Sequence, residues 1–403
     1  MKTPPSLPVL VIVVSIALPT GFTARAEPWA RHTIDAADKE AGRAGADGVR
    51  LGDLNGDGLA DIVTGWEEGD AIRVCLNPGP DKARQPWPAV TVGRVTDAED
   101  AVFADLDGDG FLDVVSAAEG KTKTVYIHWC PSDEASLANE SAWTTTPIPV
   151  TESRKWWMYT LPFDVDDDGD TDLIVGSKNK GGSVAWLENP GHAAARRVEE
   201  WQLHHMADAA WIMSLRLLES GGDNYLLFSD RKGDRSGIYL MKSVSEEPWF
   251  EPAVRIGAAG EEVMFLDLAH LNDDDRLDIA AAIRPDRVMV LNQPEDPLRE
   301  WSDVAELEPL PGDRYGTTKA VSVALMDRDE QLDFVITCEL AKGDKHGVAI
   351  GNPSSKFQSV SGPEGVKFDR IELLDLDGDG DLDILTCEER DGLGVVWYEN
   401  PSK

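Results

Sequence analysis

Short apolar runs recur along the whole chain, and glycine, proline, asparagine or aspartate bounds each of them. The run Val102–Ala104 and the run that begins at Asp113 (DVVS) are typical. They are too short for helices and are rich in β-branched and aromatic residues, which predicts β-strands. Helix-type periodicity is scarce, so the pattern indicates an all-β fold.

An acidic loop interrupts these strands at a nearly constant interval. Its first position falls at residues 53, 105, 164, 270, 325 and 375, with spacings of 52, 59, 106, 55 and 50 residues. The spacing of 106 is two periods, which predicts a further, degenerate unit whose loop begins at Leu217 and has lost its carboxylates. The chain from Glu27 onwards therefore contains seven units.

Each unit has the same internal order. One strand enters the acidic loop, a second leaves it, and a third ends in an Asn-Pro-like turn, as at Asn77, Asn189 and Asn400. A fourth strand opens with an aromatic residue: Trp87, Trp143, Trp201, Trp249, Trp301 and Phe357. Four short strands at a fixed period are typical of a β-propeller, whereas the alternative, a β-helix, has shorter repeats.

The two ends of the chain predict how the ring closes. The seventh unit stops at Asn400-Pro401 without a fourth strand, and Trp29–Ile34 resembles the missing one. Pairing them leaves no open sheet edge. We expect residues 27–403 to form a single seven-bladed β-propeller of four-stranded blades, closed by the mature N-terminal strand.

The acidic loops carry the pattern of a metal site. In DLDGDGDLDIL, which begins at Asp375, carboxylates fall at offsets 0, 2, 4 and 8, and glycines permit a tight turn. Hard oxygen ligands in a flexible loop suit Ca²⁺. The predicted ligands are Asp53, Asn55, Asp57, Asp61, Asp105, Asp107, Asp109, Asp113, Asp164, Asp166, Asp168, Asp172, Asp375, Asp377, Asp379 and Asp383.

Two of the loops are degenerate. The fifth unit has His270 at the first position, and the sixth has Leu325. An EF-hand is excluded because position 12 lacks glutamate in all four complete loops and the flanking runs are β-rich. About four Ca²⁺ sites are therefore expected.

On these residues the chain resembles the FG-GAP/VCBS repeat family, which includes the propellers of integrin α chains. The resemblance implies that the loops bind Ca²⁺ structurally, between the first and second strands of a blade. The literal Phe-Gly and Gly-Ala-Pro tags are absent, so the resemblance does not extend to integrin-like partners.

Charged positions predict a site at the opposite mouth of the propeller. A charged residue lies six positions after the last position of each loop, and these residues form a first ring. The residues six positions before the first position of each loop form a second ring. Acidic residues gather on units 1, 2, 6 and 7, and basic and aromatic residues gather on units 3 to 5. The candidate ligand-binding residues are Asp47, Glu67, Glu99, Glu119, Trp157, Tyr159, Lys178, Trp211, Arg231, Arg284, Lys319, Glu339, Asp369 and Glu389.

A pocket of two signs with tryptophan on its basic side suits a carbohydrate, especially an acidic one. The alternative for Trp157 and Trp211 is packing between blades. Three function hypotheses follow: a glycan-binding propeller, a polysaccharide lyase or sugar dehydratase, and a protein-interaction scaffold. The motifs of serine hydrolases, zinc proteases and nucleotide-binding enzymes are absent.

The first 26 residues predict a secretory signal peptide, and hence a secreted or periplasmic protein. Lys2 precedes the apolar run Leu7–Leu18, and Ala24-Arg25-Ala26 forms a small-x-small cleavage site. The run is too short to span a bilayer comfortably.

The net charge narrows the possible partners. The formal charge of −36 becomes −38 once Lys2 and Arg25 are removed, so nucleic acid and anionic membranes are poor partners.

The four cysteines allow up to two disulfides, but no pair has CxxC spacing, and buried thiols are the favoured alternative.

Overall fold

The computed structural model describes residues 27–304 and 307–402. These residues form seven four-stranded antiparallel sheets arranged as the blades of a propeller. The predicted all-β, seven-bladed fold is confirmed. The predicted signal peptide, residues 1–26, lies outside the described residues.

Six blades are built from consecutive strands. Blades 1 to 3 comprise β2 (Ala46–Gly52), β3 (Asp61–Trp66), β4 (Ala71–Cys75), β5 (Ala89–Gly93), β6 (Ala98–Ala104), β7 (Asp113–Ala118), β8 (Val125–Trp129), β9 (Thr144–Pro147), β10 (Trp156–Phe163), β11 (Asp172–Lys178), β12 (Ser183–Glu188) and β13 (Gln202–Asp208). Blades 4 to 6 comprise β14 (Ile212–Ser220), β15 (Asp223–Asp230), β16 (Gly237–Lys242), β17 (Val254–Gly257), β18 (Val263–Ala269), β19 (Asp278–Ile283), β20 (Arg287–Asn292), β21 (Ser302–Asp303), β22 (Thr317–Ala324), β23 (Asp333–Glu339), β24 (Val348–Gly351) and β25 (Gln358–Ser359).

Blade 7 joins the two ends of the described chain. It comprises β26 (Phe368–Leu374), β27 (Asp383–Glu388) and β28 (Gly394–Glu399), and its outer strand is β1 (Ala30–Asp35). Ala30 lies opposite Glu399 in an antiparallel pair. The predicted closure by the N-terminal strand is therefore present, and it pairs an edge that would otherwise be exposed.

Helix within the described residues is limited to single 3₁₀ turns, at Glu67–Gly69, Pro80–Lys82, Glu134–Ser136, Glu140–Ala142, Pro149–Thr151, Val198–Glu200 and Gly233–Arg235. None of the helices found between residues 27 and 402 has the length and apolar character that crossing a membrane requires.

The core lies between neighbouring blades. Buried aliphatic and aromatic residues from facing sheets pack together, and the tryptophans that precede the fourth strands close each layer at its outer side. Their indole N–H groups donate to nearby backbone carbonyls, as from Trp201 to Ala195 at 2.8 Å. All four cysteines are buried free thiols, which agrees with the favoured alternative and adds apolar volume to this core.

The predicted loop at Leu217 is wrong. Leu217 lies within β14 and pairs with Leu226, and the hairpin turns instead at Gly221 and Gly222. Both glycines have positive φ, +62° and +84°, which favours glycine in a tight turn. Blade 4 has therefore exchanged its acidic loop for longer strands and a two-residue turn.

A β-bulge interrupts the first strand of every blade near its axial end. The register between first and second strands shifts at Asp47/Arg50, Ala98/Asp100, Trp157/Tyr159, Ile212/Ser214, Val263/Leu266, Thr318/Ala320 and Phe368/Ile371. A bulge redirects side chains at the end of a strand. The bulged residues Glu99, Met158, Met213 and Lys319, and Asp47 beside the bulge of blade 1, consequently face the mouth of the channel.

Candidate functional site

The last aspartate of each acidic loop has a structural role. Asp172 is buried, and its two carboxylate oxygens accept backbone N–H groups from Val165 at 3.0 Å and Asn189 at 2.7 Å. Asp61 and Asp383 repeat the pattern with their own loop and Asn-Pro turn. This carboxylate therefore ties the loop to the third strand of the blade.

In three of the loops, carboxylates converge as a cation site requires. In blades 2, 3 and 7, three carboxylate oxygens lie within 4.8 Å of one another: Asp105, Asp107 and Asp109; Asp164, Asp166 and Asp172; and Asp375, Asp377 and Asp383. Like charges this close repel strongly unless a cation lies among them.

Three oxygens in the loops of blades 3 and 7 lack a hydrogen-bond partner in the described part of the chain. Oδ1 of Asp164, Asp170 and Asp381 is buried and has no hydrogen-bond partner among the described residues. Burial, followed by the neighbouring carboxylates, raises the pKa of Asp170 and of Asp381 to about 6. Both residues occupy offset 6 of their loops, which the sequence analysis did not consider. The donors are all hard oxygens, so the loops of blades 3 and 7 fit a Ca²⁺-type cation.

The blade 5 loop contains its own cation. The Arg276 guanidinium pairs with Asp274, and its Nε donates to the carbonyl of Gln293 at 2.9 Å. Asn272 donates to Asp278 at 2.9 Å. The guanidinium therefore neutralises this loop, whereas the loop of blade 6 has the exposed Leu325 in place of its first carboxylate.

Neighbouring blades are linked through the same loops. The side-chain amide of Asn189 in blade 3 donates to the carbonyl of Leu106 in the blade 2 loop at 2.9 Å, and Arg196 Nε donates to Asp107 at 2.6 Å. In the same way Arg84 of blade 1 pairs with Asp377 of blade 7. The loops of blades 2 and 7 thus form contacts with a neighbouring blade as well as within their own.

A polar cavity lies at the opposite ends of the strands. This axial pocket has a volume of about 220 Å³. Its lining comes from six of the seven blades: Asp47, Glu67, Glu99, Glu119, Met158, Lys178, Trp211, Met213, Arg231, Lys319, Glu339, Lys367 and Arg390. Asp47 begins the first strand of blade 1 and Glu67 follows its second, which places the pocket on the face away from the acidic loops.

The pocket ends blindly. Beneath it is a chamber of about 30 Å³, lined in part by Met158, Met213 and Phe265. Arg370 and Tyr159 also line this chamber, where both are buried, and Arg370 donates to the Tyr159 hydroxyl at 2.8 Å. A closed floor of this kind indicates a binding pocket and not an open channel.

A buried ion pair reinforces this floor. The Arg50 guanidinium binds both oxygens of Asp100, at 3.2 and 3.0 Å, and lies over the Tyr159 ring. Asp100 also accepts the backbone N–H of Thr160 at 2.9 Å. The pair therefore joins the first strands of blades 1, 2 and 3 beneath the pocket.

Ion pairs run around the rim of the pocket. Lys178 pairs with Glu119, and with Glu99 at 3.2 Å. On the other side Lys319 pairs with Asp369 at 3.1 Å, and Lys367 pairs with Glu389. The signs therefore alternate around the rim, because the predicted Lys319, together with Lys367 and Arg390, brings positive charge into blades 6 and 7.

Three carboxylates meet on the acidic wall of the pocket. Asp47, Glu67 and Glu99 each place an oxygen within 4.8 Å of the others. Burial raises the pKa of Asp47 well above its usual value, and burial also raises the pKa of Glu67. Burial thus favours the protonated form of Asp47, and a carboxyl in that form can both donate and accept hydrogen bonds.

The basic wall is organised around one tryptophan. Cations of Lys178, Arg231 and Lys232 lie 4.6, 4.8 and 3.9 Å from the ring centre of Trp211. The buried carboxylate of Asp230 accepts the backbone N–H of Trp211 at 2.8 Å and fixes this segment. Because cations cover the indole, Trp211 supports a positive surface and does not offer a free face for stacking.

Most of the predicted ligand-binding residues line the axial pocket: Asp47, Glu67, Glu99, Glu119, Lys178, Trp211, Arg231, Lys319 and Glu339. Tyr159 and Asp369 line the chamber below. Arg284 and Glu389 stand behind the lining, where Arg284 pairs with Glu339 and Glu389 pairs with Lys367.

The prediction for Trp157 is wrong. Its side chain is fully buried between blades 2 and 3, and its indole N–H donates to the carbonyl of Thr151 at 3.2 Å. It therefore belongs to the core. The bulged position in blade 4 is Met213 and not Trp211, because the misplaced loop of that blade shifted the count by two residues.

Comparison with known proteins supports the repeat assignment. Residues 53–116 match the family model described as FG-GAP-like repeat, a span that covers the loops of blades 1 and 2. No curated protein matches the chain. One solved structure that it is similar to is described as the Dos1 propeller, with 12% identity, coverage of 85% of this chain and 76% of that chain, and a TM-score of 0.46. The chain is a seven-bladed β-propeller, and the resemblance to FG-GAP-like repeats inferred from its acidic loops is confirmed over residues 53–116.

Proposed function

We propose that this protein is an exported, Ca²⁺-stabilised β-propeller that binds a small polar ligand of the carbohydrate class in its axial pocket. The observation that carries the proposal is the blind pocket of about 220 Å³, which is lined by charged residues from six blades. Its volume is below the roughly 300–1,000 Å³ of pockets for drug-sized ligands. A ligand with one or two sugar rings fits such a site better than a long polymer chain.

The lining favours a ligand with many hydroxyl groups. Carboxylates accept hydrogen bonds from hydroxyls, and Lys178, Arg231 and Lys319 of the lining can donate them in return. The lining includes few exposed apolar side chains, which does not favour a lipid or an aromatic ligand. The depth and closed floor also favour a small ligand over the flat surface of a protein partner.

Ca²⁺ enters the proposal as a structural ion in the loops of blades 1, 2, 3 and 7. The three buried oxygens without partners, on Asp164, Asp170 and Asp381, support it. Export is proposed from the apolar run Leu7–Leu18 and the Ala24-Arg25-Ala26 site. N-terminal sequencing of the protein isolated from its native host tests export, and a mature chain that retains residues 1–26 would contradict it.

The test of ligand binding is a titration of mono- and disaccharides, neutral and acidic, by isothermal calorimetry in 1 mM CaCl₂. The site-directed variant is Glu67→Gln, and the matched control is Glu295→Gln, an exposed carboxylate between β20 and β21. Removing one charge-assisted hydrogen bond weakens binding by roughly tenfold or more. We expect Glu67→Gln to lose this affinity and Glu295→Gln to retain it.

Two results would contradict the proposal. Absence of binding by any sugar would reject the carbohydrate class, and equal affinity in Glu67→Gln would place the site elsewhere. New reducing ends or unsaturated products in the same samples would instead identify a sugar lyase or hydrolase acting at this pocket.

A further inference from the structure

The ion pairs of the axial pocket leave one cation without a carboxylate partner. At the rim, Lys178, Arg231, Arg284, Lys319, Lys367 and Arg390 each lie within 4.0 Å of an acidic side chain. Within residues 27–304 and 307–402, Lys232 forms no such pair; it is exposed and lies at the edge of the pocket, beside the lining residue Trp211. Its ammonium lies 3.9 Å from the ring centre of Trp211.

The position of this ammonium is built into the fold. The Asp230 carboxylate accepts the backbone N–H groups of Ala210 and Trp211, each at 2.8 Å. Arg231 N–H donates to the Trp211 carbonyl at 2.8 Å. These bonds fix the indole at the end of β15, and the indole in turn holds the Lys232 ammonium through a cation–π contact.

The surrounding charges favour an anion at this point. Partial desolvation, followed by the neighbouring Arg231 guanidinium, lowers the pKa of Lys232. Glu262, which pairs with Arg231 and Arg284, favours its protonated form, whereas Arg284 and Lys178 disfavour it. A ligand anion at this point would relieve the repulsion between the four cations.

We propose that Lys232, held on Trp211, is the specificity-determining residue of the axial pocket and selects sugars that carry a carboxylate. The inference rests on the proposed function. The carboxylate of the ligand contacts the Lys232 ammonium, and its hydroxyls face the acidic wall. Glu67 supports this orientation, because its carboxylate forms no ion pair among the described residues and is available for hydroxyl groups.

The experiment compares methyl glucuronide with methyl glucoside, which differ only in a carboxylate in place of a hydroxymethyl group. Calorimetry on the full protein in 1 mM CaCl₂ gives both affinities. We expect the wild-type protein to prefer the glucuronide by roughly tenfold or more, as a charge-assisted contact provides. Added NaCl should reduce this preference by screening.

Three variants localise the effect. Lys232→Ala is expected to bind both glycosides with similar affinity, whereas Lys232→Arg keeps the charge and most of the preference. The control is Lys356→Ala, an exposed lysine between β24 and β25, which should behave as the wild type. Melting temperatures of all three variants confirm that they remain folded.

The outcomes separate the two proposals. Equal binding of both glycosides by the wild type, or an unchanged preference in Lys232→Ala, overturns this inference and leaves carbohydrate binding in place. Binding of neither glycoside, nor of any sugar in the wider titration, overturns the proposed function and this inference with it.

Discussion

Removal of Ca²⁺ should destabilise the propeller by an amount that follows from its four complete loops. In the loop of blade 3 the oxygens of Asp164, Asp166 and Asp172 lie within 4.8 Å of one another. Two unit charges at that distance repel by roughly 3.5 kcal/mol at an effective dielectric constant of about 20. Protonation or a bound cation must relieve this repulsion.

The expected stabilisation is worked from mass action. A site with a Kd of about 10 μM, within the range of sensor-type calcium sites, gains about 2.7 kcal/mol at 1 mM Ca²⁺. Four such sites give about 11 kcal/mol. The unfolding entropy is about 2.1 cal/mol/K per residue, so a change of roughly 0.8 kcal/mol in the free energy of unfolding shifts Tm by about 1 °C in a domain of this size. Removal of Ca²⁺ should therefore lower Tm by about 14 °C.

The assay is calorimetric or fluorimetric melting in 1 mM CaCl₂ against EGTA. Asp375→Asn removes one ligand in blade 7 and should reduce the calcium-dependent shift by about a quarter. The matched control is Asp274→Asn in blade 5, where Arg276 already supplies the positive charge, and its calcium-dependent shift should equal that of the wild type. Equal melting temperatures in Ca²⁺ and EGTA would refute the reasoning.

Three further changes have defined outcomes. Trp157→Ala should lower the free energy of unfolding by about 3–5 kcal/mol in urea titrations, because it opens a cavity between blades, and sugar affinity should be unchanged. Arg50→Ala should cost about 3–5 kcal/mol in the same assay, since it leaves the Asp100 carboxylate buried without its partner; a loss below 1 kcal/mol would contradict this. In EGTA, Tm should fall as pH rises from 5 to 8. Burial raises the pKa of Asp172 and of Asp383 to about 7 in the folded state, whereas the same carboxyls have a pKa of about 4 in the unfolded chain. Between these pH values the folded protein binds more protons than the unfolded chain, so its stability falls as pH rises. A Tm that rises over this pH range would refute the prediction.

Much of this architecture is predictable because the repeat is regular. The recurrence of the acidic loop identifies six units, and the one spacing of two periods indicates the seventh. The aromatic residues mark the start of the fourth strands. Blade 4 departs from the period because Gly221 and Gly222 form a short turn. An alignment that assumes an acidic loop at Leu217 shifts the preceding positions by two residues. Trp211 is then assigned to the position at the pocket mouth that Met213 occupies.

The site is predictable in position but not in its internal pairing. Offsets from the loops locate the ends of strands, and those ends meet at the axis, so most of the predicted residues line one pocket. Spacing does not determine which side of a β-bulge a residue faces, and Trp157 consequently turned into the core. Nor does it show which charges pair across blades: Lys178 contacts Glu99 from a strand that lies 79 positions away.

The seam of blade 7 has a consequence for how the protein acquires its structure. His32 in β1 contacts Glu399 in β28 at 2.8 Å, a pairing that spans 367 positions of sequence. Such a contact carries a high loop-closure cost, and it must wait until the last strand has been synthesised. The ring should therefore remain open throughout translation, with β1 unpaired until β28 is available. Folding would then be controlled by a single late docking event, and slow closure would expose the free edge of β28 to aggregation.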